Sequence, residues 1–277
     1  MMRAEPVDSL DDPRLDDYRN LRDASLQRRR HACIAESLWV VERLLSPASR
    51  YAARSLLVSE PWLDDVRPVV ESSAQNPVVF VAPPDVLDGV IGHHFHHGVL
   101  ACAERGEPAR AEDVLAGVPE GRALAVATEG LVDHDNVGSI FRNASAFGAA
   151  CVLMSPRCAD PLYRKAVRTS MGHVLTMPWA RCERWPDELG RLRERGFRIV
   201  ALTPAADAQE IGAFARTLDA DARVALLLGS EGPGLSVRAQ SMADARVRIA
   251  IAPGADSINV AAASAVALHR LGGGDRH

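Results

Sequence analysis

The sequence lacks the apolar segments that would place it in a membrane. Among its 277 residues, no apolar run reaches the roughly 18 residues that a membrane-spanning helix needs. The first residues, MMRAEPVDSLDD, are acidic and polar, whereas a secretory signal peptide begins basic and continues apolar. These absences predict a soluble, cytoplasmic protein.

Cysteine is scarce and is not arranged for disulfides or for zinc. The five cysteines are an odd number, lie far apart and show no CxxC spacing: Cys33, Cys102, Cys151, Cys158 and Cys182. We therefore expect reduced thiols in the core or at the surface.

A metal site is also not expected at the histidine cluster. The cluster comprises His93, His94, His96 and His97. In a strand these side chains would divide between opposite faces, and no cysteine or carboxylate lies nearby at ligand spacing. The segment is better interpreted as a polar turn before the apolar run GVLACA.

Lysine is almost absent, since Lys165 is the single one and arginine carries nearly all of the positive charge. The formal net charge is -4, so any binding of nucleic acid must come from a local basic patch. The densest such cluster is Arg28, Arg29 and Arg30. It is either a solvated helix face or a contact with an RNA backbone, where each neutralised phosphate releases counterions.

The composition, 47% hydrophobic and 25% charged, allows two domains with cores of their own. Residues 1–17 are acidic and aperiodic, which predicts a mobile tail. For residues 18–103 we predict a small α/β domain, with a helix through Ile34, Leu38, Val41 and Leu45. Its other predicted elements are strands near 55–58, 77–82 and 98–101 and helices near 62–70 and 85–90. Residues 104–121 are polar and turn-rich, as in an interdomain linker.

Residues 122–277 alternate between apolar strand-like runs and helical segments. The predicted strands are 123–128, 149–154, 197–202, 224–228 and 246–251. The predicted helices are 137–147, 161–170, 186–195 and 257–271. This alternation predicts a parallel sheet covered by helices on both faces.

Three segments of the second domain carry polar residues in apolar surroundings. The first, NVGSIFRNASAFG at residues 136–148, is a helix that begins near Asn136 and projects Arg142, which could also be an ordinary surface arginine. The second, LLLGSEGPGLS at residues 226–236, is a strand that ends in a loop with three glycines around Glu231. It is neither a GxGxxG motif nor a P-loop, and a tight turn would explain the glycines but not the glutamate.

The third segment, RIAIAPGADSINVAAASAVALHRL at residues 248–271, is a short strand, a bend at Pro253 and Gly254, and a helix rich in alanine. Asp256 and Ser257 are suitable residues for a helix start. A buried βαβ helix would explain the alanines, but Asn259 needs hydrogen-bond partners that the neighbouring alanines cannot supply.

In this order, N-x-G-x-x-x-R-x-A, L-G-x-E-x-x-G-L-S and Ser257-Ile258-Asn259-Val260 resemble the motifs of the SpoU/TrmH family of RNA ribose methyltransferases. Arg168-Thr-Ser170-Met-Gly172 fits as well. The resemblance spans residue 123 to the C-terminus, and residues 21–103 more weakly resemble the substrate-binding domain that often precedes it.

The resemblance implies a fold of the SPOUT class, in which the C-terminal segment is threaded through a loop to form a trefoil knot. It also implies a homodimer whose active sites draw on both subunits, and transfer of a methyl group from S-adenosylmethionine to a ribose 2′-hydroxyl of rRNA or tRNA, without a metal. The implied catalytic residues are Arg142, Asn136, Glu231, Ser257 and Asn259. The implied cofactor-binding residues are Thr128, Leu228, Gly229, Ile249, Ile251 and Ile258. The residues expected to bind RNA are Arg28, Arg29, Arg30 and Arg168.

Two other functions are compatible with the sequence. A non-catalytic RNA-binding member of the family would keep the fold, although the intact polar motif residues argue against it. A nucleotide-dependent oxidoreductase of Rossmann type would use the same kind of sheet. Calorimetry with S-adenosylhomocysteine and with NADP would separate the second alternative from a methyltransferase.

Overall fold

Two β-sheets, one in each part of the chain, organise the protein. The computed structural model describes residues 2–21, 23–92, 94–252, 254–255 and 257–272. The Cα positions divide these residues into two units. The first comprises the chain up to Glu107 together with Asp160–Thr176, and the second comprises Pro108–Ala159 and the chain from Met177.

The strands in chain order are β1 (Ala4–Pro6), β2 (Ala32–Glu36), β3 (Ala53–Ser59), β4 (Val78–Ala82), β5 (Val99–Glu104), β6 (Ala123–Thr128), β7 (Ala149–Met154), β8 (Trp179–Arg181), β9 (Arg198–Leu202), β10 (Gln209–Glu210), β11 (Arg223–Leu228) and β12 (Ala245–Arg248). The helices are α1 (Ala24–Arg29), α2 (Leu38–Leu45), α3 (Leu63–Ser72), α4 (Pro84–Ile91), α5 (Ala111–Ala116), α6 (His134–Ala146), α7 (Arg164–Thr169), α8 (Gly190–Glu194), α9 (Ile211–Ala215), α10 (Val237–Ser241) and α11 (Val260–Gly272). Short 3-10 helices lie at Pro13–Tyr18, Glu60–Trp62, His173–Leu175 and Asp187–Leu189. In the part of the chain that the structure describes, none of these helices is both long enough and apolar enough to span a membrane.

The sheet of the first unit has the strand order β1-β4-β3-β5-β2. Strands β1, β4 and β3 are parallel, and β5 runs antiparallel to both β3 and β2. Strands β3, β4 and β5 match the predicted runs. The core beside the sheet includes Leu57, Phe80, Leu87 and Leu100.

Two predictions for the first unit are wrong. Residues 1–17 do not form a mobile tail, because β1 pairs with β4 and Leu15 is fully buried in the core. A strand of three residues and one isolated leucine among acidic residues are too short to give a periodic signal. Ile34 is not helical either, because it lies in strand β2, and the helix begins only at Leu38. All five residues of β2 are buried, so the strand shows no alternation of apolar and polar residues that would have revealed it.

The predicted linker is also wrong in part. The division between the two units falls after Glu107, inside residues 104–121. However, β5 extends to Glu104, and α5 buries Val114 and Leu115 in the core of the second unit. The sequence also gave no sign that Asp160–Thr176 packs with the first unit.

The sheet of the second unit has the order β10-β12-β9-β11-β6-β7-β8, and every adjacent pair is parallel. Strand β6 is buried at all six positions, as expected for a strand covered on both faces. Helices α5, α8 and α10 contribute to one core cluster with the sheet, and α11 packs against α6 and over β11 and β6. The α/β class with a covered parallel sheet is confirmed, and the threading of the C-terminal segment stays a prediction from the family resemblance.

The strand order places a potential ligand site at the centre of this sheet. From β6 the chain proceeds to β7 and β8 on one side and returns to β9 and β11 on the other. Thr128 at the end of β6 pairs with Leu228 at the end of β11. Open α/β sheets bind ligands where the strand order reverses, outside the carboxyl ends of the strands.

Candidate active site

A cavity of about 400 Å³ opens beyond the carboxyl ends of β9, β11 and β12. Its walls come from residues 202–204, from the loop at residues 228–234, from Ile249 and Ile251, and from residues 257–260 together with Ala263 of α11. The volume falls in the range of about 300–1,000 Å³ that is usual for small-molecule sites. Predicted strand 246–251 in fact ends at Arg248, so Ile249 and Ile251 line the cavity from a loop.

The glycine-rich loop after β11 folds tightly back on itself. A Cβ atom on Gly229 would lie 2.4 Å from the backbone carbon of Gly234 and 2.4 Å from the backbone nitrogen of Leu235. Gly232 and Gly234 have φ angles of 83° and 68°, which favour glycine. The loop therefore needs its glycines in order to bring Glu231 to the cavity wall.

Three polar motif side chains form a closed hydrogen-bonded group, which we call the amide–carboxylate triad: Asn136, Glu231 and Asn259. Asn136 Nδ2 donates to Glu231 Oε1 at 2.8 Å. Asn259 Nδ2 donates to the same oxygen at 2.9 Å and to Asn136 Oδ1 at 3.0 Å. Residues separated by 28, 95 and 123 positions in the sequence thus meet at one point.

The local sequence explains how each triad residue is held. Asn136 lies in the first turn of α6, where the Asp133 side chain accepts hydrogen bonds from the first backbone N–H groups. The Asn259 side chain caps α11, because Oδ1 accepts from the backbone N–H of Ala261 at 2.8 Å. The prediction that this helix starts at Ser257 is therefore wrong by three residues. Ser257 lies before the helix, in the cavity wall, and the other predicted start, Asp256, lies outside the described residues along with Pro253.

The predicted cofactor-binding residues mostly share this cavity. Leu228, Gly229, Ile249, Ile251 and Ile258 line it, together with the triad residues Glu231 and Asn259. Thr128 is not among the described residues that line it. Its side chain is buried, and its hydroxyl lies 3.5 Å from the Cys158 thiol.

Arg142 is the one predicted catalytic residue that stands apart from both the triad and the cavity. It lies on α6 six residues after Asn136, which places it on a different face of the helix. Its side chain is exposed and has no hydrogen bond or ion pair within the described part of the chain.

Two polar residues that the sequence did not single out hold the surrounding elements. Asn143 Nδ2 donates to the backbone oxygen of Ala261 at 2.8 Å and to Ser264 Oγ at 2.9 Å, and so joins α6 to α11. Glu129 is 4% exposed and accepts from Trp185 Nε1 at 2.9 Å, Ser236 N at 2.7 Å and Ser236 Oγ at 2.8 Å. The sequence offered one signal for each of them. Asn143 lies seven residues after Asn136, and Glu129 is a carboxylate directly after an apolar strand.

The residues predicted to bind RNA all belong to the first unit. Arg28 is exposed, and Arg29 reaches Ser25 Oγ at 2.9 Å on its own helix. Arg30 donates to the backbone oxygens of Asp16 and Arg19 and so has a structural role. Arg168 is 46% exposed and lies 3.5 Å from Glu36.

The histidine cluster and the cysteines take no part in this site. His94 Nδ1 lies 2.6 Å from Asp88 Oδ2 in the turn before β5, and His93 lies outside the described residues. All five cysteines are reduced and buried. Burial raises the pKa of Cys33, Cys151 and Cys182 to about 12, so these thiols are core residues and not nucleophiles.

Fold and site together define an α/β domain that binds a small molecule at the carboxyl edge of a parallel sheet. The sequence model of the SpoU rRNA Methylase family matches residues 123–269. An uncharacterized tRNA/rRNA methyltransferase of Mycobacterium bovis is 42% identical over 263 residues, which cover 94% of this chain and 88% of that protein. The chain therefore belongs to the SpoU methyltransferase family, and the prediction from the motifs is confirmed.

Solved structures agree with this assignment. An rRNA methyltransferase from Sinorhizobium meliloti, solved with AdoMet bound, matches with a TM-score of 0.79 and 26% identity, covering 97% of each chain. The SpoU methyltransferase AviRb from Streptomyces viridochromogenes, also solved with AdoMet, matches with a TM-score of 0.78 and 20% identity, covering 95% of this chain and 99% of that one. At that identity, the second likeness supports the fold alone.

Proposed function

We propose that this protein transfers a methyl group from S-adenosylmethionine to a ribose 2′-hydroxyl of rRNA or tRNA. The observation that carries the proposal is the amide–carboxylate triad at the wall of the cavity. Its three residues come from three separate family motifs and converge through direct hydrogen bonds. The relatives named tRNA/rRNA methyltransferase support RNA as the substrate.

The cavity fits S-adenosylmethionine in size and in chemistry. Ile251 and Ile258 are 37% and 41% exposed at its wall, and such apolar surface suits an adenine ring or a methionine chain. The 228–234 loop can fold tightly onto its own backbone at the cavity wall because Gly229 has no side chain. Leu228, Gly229, Ile249, Ile251 and Ile258 would hold the cofactor, which supplies a methyl group on a positively charged sulfur. AdoMet in the Sinorhizobium structure supports the same cofactor here.

The triad positions the substrate and the cofactor and does not itself react with the methyl group. Glu231 Oε1 accepts two N–H donors, so its carboxylate is fixed while the second oxygen stays available for a ligand. Holding two reacting groups in the correct geometry is itself a large part of catalysis. Asn136 and Asn259 thus fix the glycine-rich loop that presents Glu231 to substrate and cofactor.

Arg142 is assigned to the RNA and not to proton abstraction. A guanidinium stays protonated in proteins and makes a poor base. It is suited to binding the adjacent phosphate and to stabilising the negative charge that develops on the 2′-oxygen. Its exposed position on α6 makes it accessible to such a substrate.

The decisive experiment is transfer of labelled methyl from S-adenosylmethionine to fractionated RNA, followed by mapping of the modified nucleotide. We expect Arg142→Ala to abolish transfer while calorimetry still detects binding of S-adenosylhomocysteine. Equal activity in that variant would refute the role assigned to Arg142. Absence of transfer to every RNA fraction by the unmodified protein would refute the function.

We further propose that the working enzyme is a homodimer in which Arg142 of one copy serves the cavity of the other. The position of Arg142 outside the cavity lining supports this arrangement, as does the 41% exposure of Val266 on α11. Mixing Arg142→Ala with Asn259→Ala subunits should then restore activity, because one of the two sites in a mixed dimer has both residues intact. No restoration would show that each chain supplies its own Arg142.

A further inference from the structure

Helix α2 of the first unit exposes a tryptophan that the fold does not use. Trp39 is 67% exposed and is the one aromatic residue among the exposed large apolar side chains of the described residues. The neighbouring residues Val40, Val41, Leu44 and Leu45 are buried and already attach the helix to its core. A large aromatic ring in water beside a stable helix therefore suggests a binding role.

A basic residue lies on the same helix as this tryptophan, one turn later. Arg43 lies four residues later on the same face of α2. Its Nη1 atom lies 3.0 Å from His173 Nδ1, and a Cβ atom on Gly172 would lie 3.2 Å from its Cδ. The segment Asp160–Thr176 is thus packed beside α2 within the same unit.

Two more arginines lie beside Glu36, the last residue of β2 and three residues before Trp39. The buried Glu36 lies 3.6 Å from Arg164 and 3.5 Å from Arg168. Residues 36–50 and 161–176 together contain five arginines or lysines and two glutamates, although the whole chain has a net charge of -4. This part of the first unit is therefore a local basic patch, as an RNA contact requires in an acidic protein.

The residues around Glu36 are not optimised for the stability of the fold. Arg43 Nε is buried within the described structure without a hydrogen-bond partner, and Glu36 Oε2 and Arg164 Nη1 are buried facing each other at 3.6 Å, too far apart for a hydrogen bond. Ser37 and Met171 have φ angles of 85° and 52°, which residues other than glycine rarely adopt. Strained backbone and unpaired polar atoms tend to cluster where a protein binds its ligand.

We propose that Trp39, Arg43 and Arg168, the α2 surface, bind a single-stranded part of the RNA substrate. The indole of Trp39 stacks on an unpaired base, and the guanidinium groups contact the phosphates on either side. Aromatic stacking requires bases that are not already paired and stacked in a helix, and arginine suits phosphate by its planar fork. This inference rests on the proposed function, because it supplies the substrate contact of the same enzyme.

An acidic residue on the exposed face of α2 opposes RNA binding, and its removal should change the RNA affinity in the opposite direction. Glu42 is exposed one turn after Trp39, with no hydrogen bond or ion pair among the described residues. Its carboxylate repels phosphate. Glu42→Gln should therefore bind RNA more tightly than the unmodified protein, whereas Trp39→Ala should bind it more weakly.

The test uses the full-length protein and two probes of equal length, a labelled single-stranded oligouridine and an RNA duplex. We expect Trp39→Ala to weaken binding of the single strand about tenfold or more, and Trp39→Phe to stay within about threefold because it can still stack. Arg168→Gln should lower the salt slope by about 0.7, the value of one phosphate contact on a single strand. Arg67→Gln, an exposed arginine on α3 with no ion pair within the described chain, is the matched control and should change neither quantity.

Steady-state methyl transfer separates this proposal from the proposed function. We expect Trp39→Ala to raise KM for the accepting RNA while kcat, the melting temperature and binding of S-adenosylhomocysteine stay unchanged. Unchanged affinity and unchanged KM in Trp39→Ala would overturn the α2 surface but leave the methyltransferase assignment intact. Equal weakening for duplex and single strand would also overturn it, since stacking on an unpaired base would then not be the contact.

Discussion

Asn259 binds Glu231 and caps helix α11 with the same side chain. Its Nδ2 donates to Glu231 Oε1 at 2.9 Å, while its Oδ1 accepts from the backbone N–H of Ala261 at 2.8 Å. The last helix is therefore held at its N-terminal end by the group that also fixes the glycine-rich loop. Asparagine suits this position because it combines an acceptor with a two-hydrogen donor.

Asn259→Asp should separate the two roles. Aspartate is as good a helix cap as asparagine, but it has no donor and places a second carboxylate beside Glu231. We expect the melting temperature to fall by only a few degrees, the equivalent of about 1 kcal/mol, and affinity for S-adenosylhomocysteine to fall about tenfold or more. Because two adjacent carboxylates share a proton more readily at low pH, the loss should be smaller at pH 5.5 than at pH 8 in calorimetry. Equal losses at both values would argue against a direct contact between the two carboxyl groups.

Gly229→Ala should damage the cavity by steric conflict alone. The added Cβ would lie 2.4 Å from backbone atoms of Gly234 and Leu235, which cannot turn away as a flexible side chain could. Overpacking of this kind costs about 1–3 kcal/mol, and here it displaces the loop that carries Glu231. We expect cofactor affinity measured by calorimetry to fall sharply.

Gly190→Ala is the control for that substitution, because its Cβ would meet no atom within 4 Å and its φ is not positive. Gly190 is the first residue of α8, where alanine favours the helix by about 0.5–1 kcal/mol. The control should therefore keep full cofactor affinity and gain slightly in melting temperature. If Gly229→Ala behaved in the same way, close packing of the loop would not be what the glycine provides.

The sequence predicted best where one local signal was sufficient. Strands β6 and β7 were predicted to the residue, because a parallel strand covered on both faces is a continuous apolar run between turns. Strand β2 is equally buried, but its apolar residues happened to continue the helical spacing of α2. A short apolar run cannot be assigned to strand or helix by periodicity alone.

The site was predictable only as far as its residues fall in recognisable motifs. Asn136, Glu231 and Asn259 were expected together, and the hydrogen bonds between them agree with that expectation. Asn143 was missed because it is an ordinary polar helix residue until α11 crosses α6 and offers Ser264. Such a long-range contact leaves no trace in the spacing of the sequence.

Glu129→Gln should destabilise the second unit although the substitution is nearly isosteric. The buried carboxylate accepts three hydrogen bonds, and both of its oxygens are used. Glutamine would direct its NH₂ group at another N–H donor, at a cost of about 2–3 kcal/mol. We expect a melting temperature lower by roughly 4–12 °C, measured by the intrinsic tryptophan fluorescence of the protein. Glu120→Gln, an exposed glutamate with no partner in the described residues, should change it by less than about 1–2 °C.

The arginine cluster of α1 should divide into two functional classes. Arg28 and Arg29 point to solvent or to their own helix, whereas Arg30 donates to backbone oxygens of the N-terminal segment. If the first two contact RNA, Arg28→Gln with Arg29→Gln should lower the salt slope of RNA binding by up to about 2 and leave the melting temperature unchanged. Arg30→Gln should do the opposite, lowering the melting temperature and leaving the slope as it is. A slope unaffected by the double substitution would make the outer pair mere solvated surface.

The buried thiols should make the protein sensitive to alkali. Burial raises the pKa of Cys151 from 9.0 to about 12, and it raises the pKa of Tyr18 well above its ordinary value as well. Each group keeps its proton in the folded state at a pH where the unfolded chain has lost it. Its contribution to stability is therefore complete below the pKa of the unfolded group and is lost as pH rises toward the folded value.

Urea unfolding at pH 8 and pH 10, with reductant present, measures this effect. We expect the free energy of unfolding to fall between the two conditions, with about 1–2 kcal/mol of the fall due to each deeply buried thiol. Cys151→Ala should lose stability at pH 8, because it removes a fully buried side chain from the core. It should nevertheless fall less between pH 8 and pH 10 than the unmodified protein, since one group that ionises on unfolding is gone. An identical fall in both proteins would mean that the Cys151 thiol does not contribute to the alkaline transition.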